Sequence, residues 1–275
     1  PDKRATYFSK PLLLSVGIAA FSGFIGSWVL ELDINNYHWL FTFLGFCAIA
    51  KAVAIFLMPS DPILDTPHVN PFGNMKYVVQ DKSFGYVLLT WFIMGFANLW
   101  TLPLRVDYVT APEWGIEGSA IFVAMIITII PETMRMILIP YWASLFDRMN
   151  FVVLRMILNL FFGLGVLLFF VTSNPLVIGL GSALIGAAFA GGSIAWNLWV
   201  TKYAPPGKAG AYMSVHVSLT GIRGTIGPML GYWTVGIIGA QNIGILSCAM
   251  MFFATLMLIP EIKHGRETNL KGKSL

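Results

Sequence analysis

The sequence predicts an all-α fold: a polytopic membrane helix bundle with eight transmembrane helices. Composition, segment length and an internal repeat point to it. Of the 275 residues, 57% are hydrophobic and only 11% are charged, and the mean hydropathy is +0.75. A soluble domain carries roughly 25% charged residues, so this chain needs lipid as its solvent. Eight apolar stretches, at about 12–32, 38–59, 84–104, 118–146, 151–171, 176–201, 210–236 and 241–260, each reach the ~20 residues that a ~30 Å hydrocarbon core requires. None alternates with period two, which excludes a barrel. Residues 1–33 and 206–238 also read as two copies of one pattern. At an offset of 205, Pro1, Lys3, Tyr7, Ser9, Leu14, Gly26 and Trp28 meet Pro206, Lys208, Tyr212, Ser214, Leu219, Gly231 and Trp233. At an offset of 201, Cys47, Ala48, Leu57 and Pro59 meet Cys248, Ala249, Leu258 and Pro260. A membrane chain that repeats after about 200 residues is expected to hold two duplicated bundles.

The connections between spans are short and carry breakers, such as Ser173-Asn174-Pro175 and Pro205-Pro206-Gly207. Orientation follows from the basic residues. Of 17 Lys and Arg, thirteen fall on one side, among them Lys10, Lys82, Arg148, Arg155 and Lys202. Arg105 falls on the other side, with Glu31, Asp33, Asp107, Glu113 and Glu117, while Lys51, Arg135 and Arg223 lie inside spans. Both termini are therefore expected on the cytoplasmic side, in the inner (plasma) membrane. The chain opens Pro1-Asp2-Lys3-Arg4 with neither an initiator Met nor a signal peptide, so helices upstream of it are expected. Residues 60–83 read as a cytoplasmic linker, with Phe72, Met75 and Val79 spaced for a short amphipathic helix on the inner leaflet.

Several function classes drop out. The two cysteines, both mid-span, cannot build a disulfide framework and read as small core residues. His38, His68, His216 and His264 have no metal-ligand spacing. No nucleophile elbow, phosphate loop or zinc motif is present, so neither enzyme activity nor a cofactor or metal is expected. The net charge of +4 follows from topology and calls for no nucleic-acid partner.

Three stretches resemble known motifs. Ala143-Ser-Leu145-Phe-Asp147-Arg148-Met-Asn150 is similar to the G-x-L-x-D-R-x-G-R-K loop of the major facilitator superfamily, with Ala143 and Asn150 in place of two glycines and the trailing basic pair missing. Gly221-Ile-Arg223-Gly224-Thr-Ile-Gly227-Pro228-Met-Leu-Gly231 resembles that family's Gly/Pro-rich penultimate helix, and Pro206-Gly-Lys208-Ala-Gly210 the loop leading into it. The resemblance implies that residues 1–59 are family helices 5 and 6, the last two of an N-terminal six-helix bundle. It makes 60–83 the linker, 84–260 the C-terminal bundle and 261–275 a cytoplasmic tail. Helices 1 to 4 would then be missing partners. Antiporters of the family carry Gly-Pro in helix 5 where this chain has Gly23-Phe24, which argues against a drug or proton antiporter.

A charge at the bilayer centre costs about 2.5–3.5 kcal/mol even on insertion scales, so mid-span ions are candidates by default. Glu132 and Arg135, just after Pro131, share a helix face at i, i+3. They read either as a mutual ion pair or as substrate or coupling groups. Pro131 should free a carbonyl near residue 127 and permit a kink. Tyr212, His216, Thr220 and Arg223 form one polar stripe, with Gly221, Gly224, Gly227 and Gly231 thinning the same helix. His216 reads more naturally as an interface histidine than as a titrating group. The central charges leave one positive in surplus, so either the substrate is anionic or a partner acid sits in the upstream helices; the second is favoured. Asn98, with Trp91, Thr101 and Arg105, makes one polar face. Ser182, Ser193 and Asn197, flanked by Trp196, make another that suits a polar organic ligand. The resemblance implies that these faces line the cavity of a secondary active transporter moving a small polar or amphipathic solute, with a proton or cation where transport is coupled. Asp147 and Arg148 would then act in the cytoplasmic gate. A transporter-like sensor or scaffold that binds without moving its ligand is the alternative, and the chain lacking its first four helices is not expected to transport alone.

Overall fold

In a computed structural model of the chain, residues 3–59 and 73–263 are described. Linker residues 60–72, including His68 and Phe72, and tail residues 264–275 lie outside the described residues. Every regular element among them is helical, as a backbone in lipid demands. The first two helices are α1 (Arg4–Leu32) and α2 (Tyr37–Phe56), followed by the short α3 (Lys76–Gln80). The next is split into α4 (Lys82–Thr101) and α5 (Leu104–Thr110) across Pro103, which opens α5. Then come α6 (Ala120–Ala124), a π turn at Met125–Ile129, α7 (Ile130–Arg148), α8 (Phe151–Phe170), α9 (Pro175–Leu198) and α10 (Val200–Tyr203). Two long helices, α11 (Ala209–Ile238) and α12 (Ala240–Met257), finish the bundle. The starts are capped by residues the sequence supplies: Asp81 accepts from Phe84 N, Asn150 from Val152 N and Asn174 from Leu176 N.

Among the described residues, seven helical stretches are long and apolar enough to cross a membrane, and the chain is an integral membrane protein. Of the eight expected spans, the one at 210–236 is absent from these seven. Its helix, α11, runs 30 residues, but His216, Arg223 and its glycines dilute its apolar character. The linker helix exists but is only the five residues of α3, preceded by a 3₁₀ turn at Gly73–Met75.

The packing puts α9 between α7 and α8, while α12 lies on α8 and α4, and α11 on α4. Small residues set the closest approaches. A Cβ on Gly165 would lie 2.9 Å from Gly181 O, and one on Gly181 would lie 2.8 Å from Gly165 O, so α8 and α9 meet backbone to backbone. Lying along α7, α1 brings Gly23 so close to the π turn that a Cβ there would sit 2.7 Å from Thr128 Cγ2. The expected thinning of α11 holds at Gly227 and Gly231, which press on Leu99 and Trp100, but not at Gly221 and Gly224, which face open space.

Two aromatic-rich cores form, one towards each end of the bundle. The first surrounds Trp199, fully buried and stacked on Phe84, Trp91 and Phe151. The second holds Tyr108, Phe162, Phe169 and Phe170. By contrast, the membrane-length part of α2 is 0% buried. Cys47 is therefore exposed while Cys248 is buried; the reading of both as core residues holds only for Cys248, because no described helix covers that face of α2.

Candidate functional site

Between α4–α5, α7 and α9 lies a cavity of about 420 Å³ that contains the chain's central ion pair. Its placement begins with Pro131. Lacking an N–H, Pro131 cannot continue the α-helical ladder, and the strain is absorbed one turn earlier, where Ile130 N donates to Met125 O in an i→i+5 bond. The expected kink is thus a π turn. Gly186 of α9 rests against Pro131: a Cβ there would lie 2.6 Å from Pro131 Cα and nearer still to its carbonyl oxygen. With α9 that close, the next turn of α7 faces the cavity. Glu132 Oε1 accepts from Arg135 Nη1 at 2.5 Å, with the side chains 16% and 20% exposed, and Arg135 Nη2 reaches Ser193 Oγ on α9 at 3.4 Å. It is the only ion pair among the described residues.

Opposite stands Arg105, which charge counting by sequence assigned to the outer connections. The chain breaks at Pro103, and the guanidinium turns inward to 6% exposure, donating from Nη2 to Asn98 Oδ1 at 2.8 Å. A neutral amide is its only hydrogen-bond acceptor among the described residues. Three polar atoms of the wall residues remain buried and unpartnered: Arg105 Nε, Arg135 Nε and Glu132 Oε2. Ser182 and Ser193 complete the polar side, while Ile126, Ile127, Phe169, Ile185 and Phe189 make the apolar one. A larger groove of about 630 Å³ beside α1 and Met136 is lined by Leu13, Leu14, Gly17, Ile18 and Phe21. It offers no side-chain charge or hydroxyl to recognise a polar solute.

The second group of candidates sits apart from the cavity. Arg223 is 6% exposed, and its Nη1 donates to Trp91 O. Gly95 makes the space for its guanidinium. Arg155, counted by sequence among the loop cations, is 1% exposed and lies 3.5 Å from the centroid of the Trp91 ring. Asn150 caps α8 one turn before it, so Arg155 already belongs to the packed helix. His216 is not at an interface but 1% exposed, its ring 5.3 Å from those of Trp91, Trp196 and Trp199. The structure thus groups Arg155, His216 and Arg223 in one aromatic-walled basic cluster. Its Trp91 Nε1, Trp199 Nε1, His216 Nε2 and Arg223 Nε lack partners. Among the described residues, Thr220 bonds only to His216 O within its own helix, and exposed Asn197 only to Ser193 O; neither lines the cavity.

At the basic-residue end of the bundle, Asp147 reaches the first turn of α1. Its carboxylate accepts from Ala5 N at 3.2 Å, Thr6 N at 3.3 Å and Thr6 Oγ1 at 2.9 Å. A carboxylate at a helix N-terminus meets both unpaired N–H groups and the positive end of the dipole. Beside it, Lys202 donates to Phe146 O at 3.0 Å and lies 4.5 Å over the Phe146 ring. Burial pushes the Lys202 ammonium down to about 8, against a smaller opposing pull from Asp147. Arg148 is exposed at the end of α7. Asn150, one of the two departures from the loop motif, also donates to Ile262 O at 2.7 Å and ties the loop to the end of the bundle.

A bundle of membrane-length helices around a cavity lined by charged side chains defines a class: a polytopic integral membrane protein. The family model described as Major Facilitator Superfamily matches residues 119–274, which is α6 through α12 and more than half of the sequence. The chain belongs to the Major Facilitator Superfamily. No curated protein and no solved structure matches it significantly.

Proposed function

We propose that this chain is part of a secondary active transporter that moves a small polar or amphipathic solute by alternating access, with both termini cytoplasmic. One observation carries the reading: a half-buried ion pair and a buried arginine stand around a cavity inside an apolar bundle. Charges this deep cost several kcal/mol to place, so they persist where they serve a solute path. Glu132 and Arg135 hold the solute with Arg105, and the π turn before Pro131 is the element that yields when α7 moves. Asp147 is the cytoplasmic latch: as long as it caps α1, that helix stays against α7, and breaking those three bonds lets the two halves part. Arg223, anchored to Trp91 O, couples α11 to α4 during that movement.

The test is uptake into proteoliposomes containing the protein with its expected upstream helices. Accumulation against a gradient, lost in Arg135→Gln, is the expected result. Saturable binding without any accumulation would favour the sensor or scaffold instead.

A further inference from the structure

The cavity wall carries more chemical information than the word polar conveys. Its three charged side chains, Arg105, Arg135 and Glu132, sum to one positive charge. Glu132 already has Arg135 as its partner, so the uncompensated cation is Arg105, buried against the neutral amide of Asn98. A buried guanidinium without a carboxylate is costly, and the cost is relieved by an anion. The unpartnered atoms are also specific in kind. Arg105 Nε and Arg135 Nε are donors, while Glu132 Oε2 is an acceptor. Guanidinium groups match a planar or tetrahedral oxyanion through paired N–H donors. The free carboxylate oxygen demands a hydrogen-bond donor on the same ligand, close to the anionic group because Glu132 and Arg135 are themselves in contact. The remainder of the wall, Ile126, Ile185, Phe169 and Phe189, takes an apolar body. A cavity of about 420 Å³ lies at the small end of the ligand-site range.

We infer that the solute is a monoanionic organic acid that bears a hydroxyl or N–H donor next to its acid group and a compact apolar body. Arg105 and Arg135 clamp the oxyanion, Glu132 Oε2 takes the donor hydrogen, and the opposite wall encloses the apolar part. This rests on the transport reading for its setting but not for its selectivity. A neutral or cationic solute of the same shape leaves Arg105 without its counter-charge, and an acid lacking the donor leaves Glu132 Oε2 unpaired. Sites built around such groups reject analogues that cannot pair with them.

Binding is measured by intrinsic tryptophan fluorescence on the detergent-purified chain with three probes of one shape. These are phenyllactate (acid and hydroxyl), 3-phenylpropionate (acid alone) and phenyllactamide (hydroxyl, no charge). Phenyllactate is expected to bind at least 10-fold tighter than either. Arg105→Gln should remove the preference for the acid over the amide, and Arg105→Lys should retain part of it. Glu132→Ala should shrink the gap between phenyllactate and 3-phenylpropionate. Equal affinity for all three probes, or tighter binding of the amide, overturns the inference. So does an acid preference that survives Arg105→Gln while far-UV circular dichroism shows the variant folded. Uptake into proteoliposomes containing the protein with its expected upstream helices separates the two claims: selective binding without accumulation refutes transport and leaves the ligand class standing, whereas accumulation of neutral solutes unaffected by Arg105→Gln does the reverse.

Discussion

Alanine at position 95 tests how tightly Arg223 is built into the bundle. A Cβ on Gly95 would lie 2.8 Å from Arg223 Nε and closer still to Cζ and Nη1. Because Arg223 is buried and its Nη1 bonds Trp91 O, the guanidinium cannot move aside into water. Overpacking of this kind costs about 1–3 kcal/mol, and losing a hydrogen bond from a charged donor costs roughly 1.5–3 kcal/mol. The gain from replacing a helical glycine with alanine is only about 1 kcal/mol. The net expectation for Gly95→Ala is therefore a loss of about 1.5–5 kcal/mol. In an Arg223→Ala background the obstacle is gone, and the same substitution should be neutral or stabilising by up to about 1 kcal/mol. Equilibrium unfolding in mixed micelles, followed by tryptophan fluorescence across the double-mutant cycle, gives the coupling directly. Equal effects of Gly95→Ala in both backgrounds would refute the packing of Arg223 against α4.

Other expectations concern separate parts of the molecule. Gly186→Ala, which sets a methyl group against the Pro131 backbone, should destabilise by roughly 2 kcal/mol or more and weaken solute binding, as read by thermal unfolding with and without phenyllactate. Lys202 is held at about 8 against an ordinary 10.5, so the folded state sheds this proton before the unfolded state does. Its burden is fully present below pH 8, and stability should rise between about pH 8 and 10.5, by up to about 3 kcal/mol. The pH profile of Lys202→Met should lack that rise, and identical profiles would contradict it. Asp147→Asn keeps a capping oxygen but loses the charge. It should cost about 0.5–1 kcal/mol and increase the rate at which cysteines placed on the first turn of α1 react with a water-soluble thiol reagent.

Much of this organisation is legible from residue order, and the failures share a physical cause. Hydropathy found helices because lipid imposes them, and the i, i+3 spacing of Glu132 and Arg135 found the ion pair because a helix face is fixed by its period. Pro131 signalled a distortion, though not that a π turn would absorb it, since that depends on how closely α9 approaches through Gly186. Arg105 and Arg155 were assigned by position along the chain, whereas a long side chain near a helix end has the choice of turning outward or inward. Arg105 turns to Asn98, a near neighbour in the chain on the polar face that the sequence already marks, whereas Arg155 turns to Trp91 on another helix, which comes near only when the helices pack. For the same reason His216 passed for an interface group: the three indoles around it come from α4, α9 and the turn after α9. Trp196, Asn197 and Thr220 show the converse, being polar or amphipathic at cavity-like positions yet turned to other neighbours.

The most direct measurement of the central claim is the reactivity of a cysteine at the cavity wall. In a chain with Cys47→Ala and Cys248→Ala, Ser193→Cys should react with a small charged thiol reagent, and phenyllactate should slow that reaction. Ala195→Cys, at a fully buried position two residues on, should stay unreactive in the same preparation. If the Ser193 variant were as inert as the Ala195 one, or reacted at a rate no solute altered, α7 and α9 would not enclose a solute site.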